Sequence, residues 1–296
     1  MKQKQKNHIL HTPVLANEVL ALLKPKAGET YLDLTAGYGG HAGLILSKTK
    51  NFKGSVLCDR DQEAIDHVKA LFDQEGIEFV KNDFYNATKL LLESGRRFDI
   101  ILADLGVSSP HLDKANRGFS ILRDGPLDMR MDQSQTLSAF DFVNKSSETE
   151  LETILRVYGE EPRAKYISRK IIEARPINST SELANVIKSA YKTHTKSHPA
   201  TKSFQALRIA VNDELGLLEG MLPNSVSLLN PGGRLGVITF QSMEDRIVKK
   251  YFNDHANTGY EATLTLINKK PHIPSPTEIS SNPRARSAKL RVVSKN

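Results

Sequence analysis

Through the first hundred residues, short apolar β-rich runs alternate with stretches in which apolar positions recur every three or four residues. Residues 31–34 (Tyr-Leu-Asp-Leu), 55–58 and 77–80 read as strands, and 98–103 as a strand buried on both faces. Between them, 41–47, 62–72 and 87–92 carry a helical period. In the second of these Ala64, Ile65, Val68, Leu71 and Phe72 share a face, and Gly76 ends the segment. Strands separated by helices at this spacing imply a parallel α/β sheet. The alternation breaks from about Ser109 to Asn212, where no strand is expected. A loop rich in Gly, Asp, Arg and Met (117–132) precedes predicted helices over 151–158, 164–174, 181–191 and 203–218. The pattern resumes after Pro231-Gly232-Gly233 with a strand over 235–240, a helix over 244–252 and strands over 262–267 and 288–293. The Pro-rich stretch 271–283 reads as a long surface loop. The expected organisation is a discontinuous α/β domain, 1–108 with 213–296, interrupted by an all-helical domain over 109–212.

Composition narrows the chemistry more than the fold. The 296 residues are 39% hydrophobic and 25% charged, which leaves out collagen, coiled coil and wholesale disorder. A single cysteine, Cys58, excludes a disulfide framework and a Cys-based zinc site, and a cytoplasmic location is expected. No apolar run approaches the roughly 20 residues of a membrane span, and residues 1–10 have a signal peptide's charge without its apolar core. His194 and His198 stand four apart without a third partner, so no metal is expected. The net charge of +7 is unevenly spread: ten Lys/Arg between Arg163 and Arg208 face only Glu173 and Glu182. After Glu278 come Arg284, Arg286, Lys289, Arg291 and Lys295 with no acid. Such clustering suits a polyphosphate such as nucleic acid, and equally a set of solvated helix faces.

The segment Asp33-Leu-Thr-Ala-Gly37-Tyr-Gly39-Gly40-His41-Ala42 lies at a strand-to-helix junction. Glycines there allow a tight turn and close approach of a ligand to free helix N–H groups. The spelling Gly37-x-Gly39-x-x-Ala42, with Asp59 about twenty residues on, formally fits a dinucleotide fingerprint. Two features argue against NAD. Asp33, at the end of the first strand, would repel a pyrophosphate but could receive the cationic amino-acid end of a sulfonium cofactor. Asp104, ending the fourth strand, adds a third carboxylate beside Asp33 and Asp59, whose own carboxylate suits ribose hydroxyls. Three acids around one crevice fit S-adenosylmethionine better than a dianion.

Beyond this junction the chain carries a set of specific blocks: His11-Thr-Pro-Val-Leu15, Asp104-Leu-Gly-Val-Ser-Ser109, Arg117-Gly-Phe-Ser120 and Pro126-Leu-Asp-Met-Arg-Met-Asp132. Gly159-Glu-Glu161, His198-Pro-Ala-Thr, Phe204-Gln-Ala-Leu-Arg-Ile209, Glu244-Asp-Arg-Ile-Val248 and Asn282-Pro-Arg-Ala-Arg-Ser-Ala-Lys-Leu-Arg291 complete it. Along nearly its whole length the sequence resembles the bacterial 16S ribosomal RNA cytosine-N4 methyltransferases. The resemblance implies a class I S-adenosylmethionine-dependent (Rossmann-like) sheet with an inserted helical substrate-recognition domain. It implies 16S rRNA of the small ribosomal subunit as partner, its decoding region as target, no membrane, and a homodimer as an open option. Cofactor contacts implied by the family fall on Gly39, Gly40, His41, Asp59, Phe84 and Asp104, and on position 111, where the family has Gln and this chain has His111. Where the family reads Ser-Phe-His-Ser-Leu-Glu-Asp-Arg, this chain has Thr239-Phe-Gln-Ser-Met-Glu-Asp-Arg246, so no catalytic base stands at Gln241.

Methylation of a cytosine amine needs alignment more than a strong base, because the amine becomes acidic as the methyl arrives. Acceptors for its hydrogens are expected from Asp104, or from the backbone and hydroxyls of 107–109, with Ser108 and Ser109 as the candidates. Phe119 is a candidate platform for the extruded base, with a plain core side chain as the competing reading for it and for Phe84. Arg163, Lys196, Lys202 and Arg208 are candidates for gripping phosphates, with the basic tail as a second contact. Three rivals are weighed. A DNA amino-methyltransferase usually carries an acid or Asn/Ser, two prolines and an aromatic where this chain has Asp104-Leu-Gly-Val. A small-molecule methyltransferase needs no basic insert. A non-catalytic RNA-binding protein needs no acidic crevice.

Overall fold

A computed structural model of the protein describes residues 13–72, 76–191, 198–256 and 259–296. The chain begins with α1 (Ala16–Leu23), β1 (Tyr31–Asp33), α2 (Gly40–Thr49), β2 (Val56–Asp59) and α3 (Gln62–Leu71). There follow β3 (Glu78–Lys81), α4 (Phe84–Glu93) and β4 (Phe98–Asp104). Helices then take over: α5 (Ser109–Asp113), α6 (Ala139–Lys145), α7 (Glu148–Gly159), α8 (Ala164–Ala174), α9 (Thr180–Ser189) and α10 (Thr201–Asn212). α11 (Glu214–Leu228) leads to β5 (Leu229–Thr239), α12 (Ser242–Ala256), β6 (Leu264–Leu266), α13 (Pro276–Ser281) and β7 (Lys289–Lys295). Two compact units result, one running to Gly106 and resuming over Gly216–Asn296, the other spanning Val107–Leu215.

The first unit is one seven-stranded sheet in the order β3-β2-β1-β4-β5-β7-β6. β1 to β5 are parallel, and β7 runs antiparallel to both β5 and β6. This is the strand arrangement of the class I methyltransferases, an α/β fold of Rossmann type. Successive side chains of each strand enter opposite cores. Leu32, Val56, Cys58, Ile101, Ala103, Leu235 and Val237 belong to one core. Tyr31, Leu57, Ile100, Leu102, Ile238, Leu290 and Val292 belong to the other. Helices on both faces bury both sets, which is why these strands read as unbroken apolar runs. The chain moves outward from β1 to β3 and then returns to β4, so β1 and β4 flank the point where strand order reverses. In open α/β sheets ligands bind there, outside the carboxyl ends. Asp33, Asp59 and Asp104 are the last residues of β1, β2 and β4.

The second unit packs α6 to α10 around Leu151, Leu155, Ile167, Ile171, Leu183, Ile187 and Leu207. The 117–132 loop is part of this core, contributing Phe119, Leu127, Met129 and Met131. Its backbone is held by buried polar side chains. Arg117 Nη2 donates to the carbonyls of Arg130 (3.1 Å) and Met131 (2.9 Å). Asn212 accepts from Met131 N (2.9 Å) and donates to Met129 O (2.8 Å).

Several elements depart from the sequence expectation. The single helix expected over 203–218 is two, because Asp213 sits at φ 46 in the left-handed region and ends α10. α11 then runs on through Pro223 to Leu228. The Pro-rich stretch is not all loop: Ser275 accepts from Glu278 N and starts α13, with Pro276 in the first turn. α5 begins five residues after Asp104, with Ser108 at its N-cap and Pro110 in its first turn, where no helix was expected. α1 and α6, of eight and seven residues, were not foreseen either.

Candidate cofactor and substrate site

The crevice is built on the turn between β1 and α2. Gly37 (φ 50) and Gly39 (φ 80) take left-handed conformations, and a Cβ on Gly39 would meet Phe72 and Leu71 within 3 Å. The turn is tied to neighbouring strand ends. Gly37 N donates to Asp59 Oδ2 (2.8 Å), while Asp59 Oδ1 accepts from Asp61 N (2.8 Å). Thr35 connects β1 to β4: its N donates to Asp33 Oδ1 (3.1 Å), and its hydroxyl accepts from Asp104 N (2.6 Å). Thr35 was not singled out from the sequence, although it lies inside the motif. Phe84 opens α4 just after β3, partly buried against the core, behind the Asp83 cap.

Asp33 is buried, and its Oδ2 accepts from the Tyr31 hydroxyl (2.7 Å). Burial pushes its carboxyl up to about 7, against the pull of the Tyr31 and Thr35 hydrogen bonds and with the Asp59 charge adding to the rise. Asp104 is pushed to about 8, chiefly by burial and then by the charges of Asp33 and Glu244. A quarter of its side chain reaches solvent, yet Oδ1 is enclosed and has no hydrogen-bond partner. His41 Nε2 lies 3.6 Å from Asp104 Oδ2, beyond hydrogen-bond reach, and it too is buried without a partner. Burial lowers this imidazole to about 4, the Val14 backbone opposing, so it is neutral at pH 7. Buried polar atoms are normally satisfied. Orphaned acceptor capacity beside proton-holding carboxylates fits a bound group that brings positive charge and donors.

Glu244, noted in the sequence only as part of a matching block, acts on Asp104 through its charge, and its Oε2 accepts from Phe240 N (2.8 Å) and Gln241 N (3.0 Å). A cavity of about 290 Å³ beyond β5 is lined by Phe240, Gln241, Ser242, Arg286 and Lys289 among others.

The remaining sequence candidates lie in the helical unit or in the tail. Ser108 Oγ is 3.1 Å from His111 Nδ1, and the buried His111 ring stacks on Phe119 at 5.1 Å. Ser109 opens α5. Phe119 is 7% exposed with one face against His111, so it is a core side chain and not a free platform for a base. Arg208 is also corrected: its Nε and Nη2 each lie 2.8 Å from Glu214, a two-point ion pair inside the unit. Lys202 is exposed and donates to Glu160 O (2.9 Å) at the end of α7. Arg163 is exposed and donates to Ala190 O (2.6 Å). Lys196 and His194 lie outside the described residues. The tail is less available than its charge suggested: Arg291 (2.6 Å) and Lys289 (2.9 Å) both pair with Asp245, and Lys295 donates to Leu229 O (2.9 Å). Among the described residues no group of three His, Cys, Asp or Glu could hold a metal, and no helix is long and apolar enough to cross a membrane.

Comparison with known proteins places the chain in a family. The MraW methylase family matches residues 8–296. A ribosomal RNA small subunit methyltransferase H from Cyanothece sp. is 47% identical over 287 residues, covering 96% of this chain and 94% of that one. Proteins of the same name from Paenibacillus sp. (43% identical; 96% and 99% covered) and Mycoplasma mycoides (45%; 97% and 99%) are similar throughout. The chain belongs to the MraW methylase family and is a methyltransferase whose cofactor is S-adenosylmethionine.

Proposed function

We propose that the protein methylates the exocyclic N4 of one cytidine in the decoding region of 16S rRNA, in the cytoplasm. The observation that carries the reading is the acid-lined edge at β1 and β4, where Asp104 ends the central strand with an unused buried acceptor. The relatives' printed name supports ribosomal RNA as substrate, and the matched sequence blocks support cytosine N4. Asp33 would hold the cationic end of the cofactor, Asp59 its ribose, and Gly37, Gly39, Gly40, His41 and Phe84 the surrounding wall. His111 keeps its family position as a candidate contact. When bound, the cofactor supplies an electrophilic methyl group. The cytosine amine is a poor nucleophile because its lone pair is delocalised into the ring. Asp104 would accept a hydrogen bond from that amine, favouring pyramidal nitrogen and dispersing the positive charge that develops there. The backbone and hydroxyls of 107–109, Ser108 and Ser109 among them, are the alternative acceptors.

The test is labelled methyl transfer to unmethylated small subunits, naked 16S rRNA and DNA, followed by nucleoside mass spectrometry. N4-methylcytidine from rRNA supports the reading; label in DNA points to a DNA amino-methyltransferase, and label in neither overturns the nucleic-acid substrate.

Two further results are expected. Ligand-free Asp33 and Asp104 hold protons near pH 7, since their pKa values are raised to about 7 and about 8. Raised carboxylates bind more protons in the folded than in the unfolded state, so their contribution to stability declines as pH rises from about 4 to about 8. A cation bound beside them favours the ionised form, so cofactor binding should release protons. Affinity should then climb by up to about tenfold per pH unit for each carboxylate that ionises. Calorimetry in two buffers of different ionisation enthalpy measures this; zero proton release at pH 7 contradicts it. RNA binding should also be steeply salt-dependent. With about four phosphates neutralised on a single strand, affinity falls about fiftyfold from about 50 to about 200 mM salt. A flat profile in a filter-binding titration would remove the electrostatic grip.

A further inference from the structure

The helical unit carries one surface whose charge opposes its own backbone. α8 buries Ala164, Ile167, Ser168 and Ile171 and turns Lys165, Tyr166 and Arg169 outward. Its first turn holds no acid, and Arg163 stands at the N-cap without a side-chain cap bond. α7 and α9, on either side in sequence, start with Ser147 and Glu150, and with Ser179 and Glu182. Amide dipoles already make a helix N-terminus positive. Glu161 supplies one acid there, its Oε1 accepting from Arg163 N (3.0 Å) and from the Tyr191 hydroxyl (2.7 Å), while Arg163 and Lys165 add two cations where acids are favoured.

The side chains are poised rather than paired off. Arg163 is fixed by its bond to Ala190 O (2.6 Å) and by the Tyr191 ring, 5.0 Å below its guanidinium. Arg169 stands 3.6 Å from Glu148, an exposed pair of little strength, and no acid lies at ion-pair distance from Lys165 among the described residues. Tyr166 is 47% exposed, with Lys170 Nζ 5.8 Å from its ring centre. Pro162, Arg163, Lys165, Tyr166 and Arg169 line a concavity of about 340 Å³.

We propose that this face of α8 binds single-stranded RNA, Tyr166 stacking one base while Lys165 and Arg169 neutralise the phosphates that flank it. The inference rests on the RNA substrate proposed above and names the surface that would hold the strand. An aromatic among cations is the recognition chemistry of unpaired nucleotides, whereas a duplex keeps its bases from stacking on protein. An acidic peptide would use the charges and leave Tyr166 without a role.

Fluorescence anisotropy with labelled decauridylate, an abasic decamer and a duplex tests it, alongside steady-state methylation of naked 16S rRNA. Tyr166→Ala should weaken decauridylate binding by about fivefold to a hundredfold, Tyr166→Phe by less than about twofold, and neither should change abasic binding. Lys165→Gln and Arg169→Gln should weaken both oligonucleotides and lower the salt slope by about 0.7 each. In turnover, the rRNA KM should rise in these variants with kcat unchanged. Equal decauridylate affinity in wild type and a Tyr166→Ala/Arg169→Gln variant overturns the proposal, as does competition by decaglutamate as strong as by RNA. A wild type that methylates rRNA with a KM these variants do not alter rejects this surface alone. A wild type that neither binds nor methylates RNA rejects the substrate reading, and this surface with it.

Discussion

Asp104→Asn is expected to reduce single-turnover methyl transfer by about 10²–10³-fold at saturating cofactor, the usual cost of one lost electrostatic contact to developing charge. The substitution keeps the side chain's volume. The backbone N–H of residue 104 still reaches the Thr35 hydroxyl (2.6 Å), so the end of β4 stays in place. What changes is the chemistry at one atom. A carboxylate offers acceptors on both oxygens, whereas an amide presents donors on one side. Turned toward the substrate, that NH₂ would meet the amine's own hydrogens. The deficit should therefore appear in the chemical step and should not be repaired by raising cofactor or RNA concentration. Thermal unfolding of the ligand-free variant should be unchanged or slightly improved near pH 8, since a buried carboxyl raised to about 8 no longer has to ionise. Near-normal turnover in the saturated assay would remove Asp104 from the chemistry and leave the acceptors at 107–109.

Gly118→Ala should destabilise the protein by about 3 kcal/mol or more. Gly118 ends the turn at Arg117 with φ 72, and a Cβ there would collide with the Pro126 carbonyl and come within 2.7 Å of Asp128 N. Both obstacles are backbone, so no rotamer change relieves them. The collision falls in the loop that Arg117 and Asn212 hold by its carbonyls, and displacing it strands those buried groups. Gly95→Ala is the internal control: φ is 73, but nothing lies within 4 Å of the added carbon. Its cost should stay near the strain of a left-handed alanine, about 1 kcal/mol. Chemical denaturation of the pair separates collision from strain; equal losses in the two variants would mean that the 117–132 loop moves aside.

The sheet was legible because burial on both faces forces long apolar runs, and because acids placed straight after such runs stand at strand ends. Asp33, Asp59 and Asp104 were found in that way. What they do to one another was not legible, since a raised carboxyl depends on distance and enclosure that spacing does not carry. His41 was reached through family resemblance alone; its buried, unpartnered Nε2 is visible only in three dimensions. Charge counting found the basic region but could not say which cations were already engaged. Glu214, six residues after Arg208, was the missed signal there, as Asp245 was for Arg291 and Lys289. Tyr166 escaped for the opposite reason: on a helix an exposed tyrosine and a core one are spelled alike. The break at Asp213 was passed over because the apolar period continues across it, although aspartate is among the non-glycine residues that enter the left-handed region most readily.

The placement of β7 between β5 and β6 also dictates an order of events during folding. β6 is made before β7 in the chain yet touches the sheet only through it. Until residues 289–295 arrive, β6 has no partner strand and β5 exposes one unpaired edge over Arg234–Thr239. An open apolar edge is a template for pairing with other chains. The nascent protein therefore carries its greatest risk of self-association late, and completion of the final strand closes β5 and recruits β6 in one step.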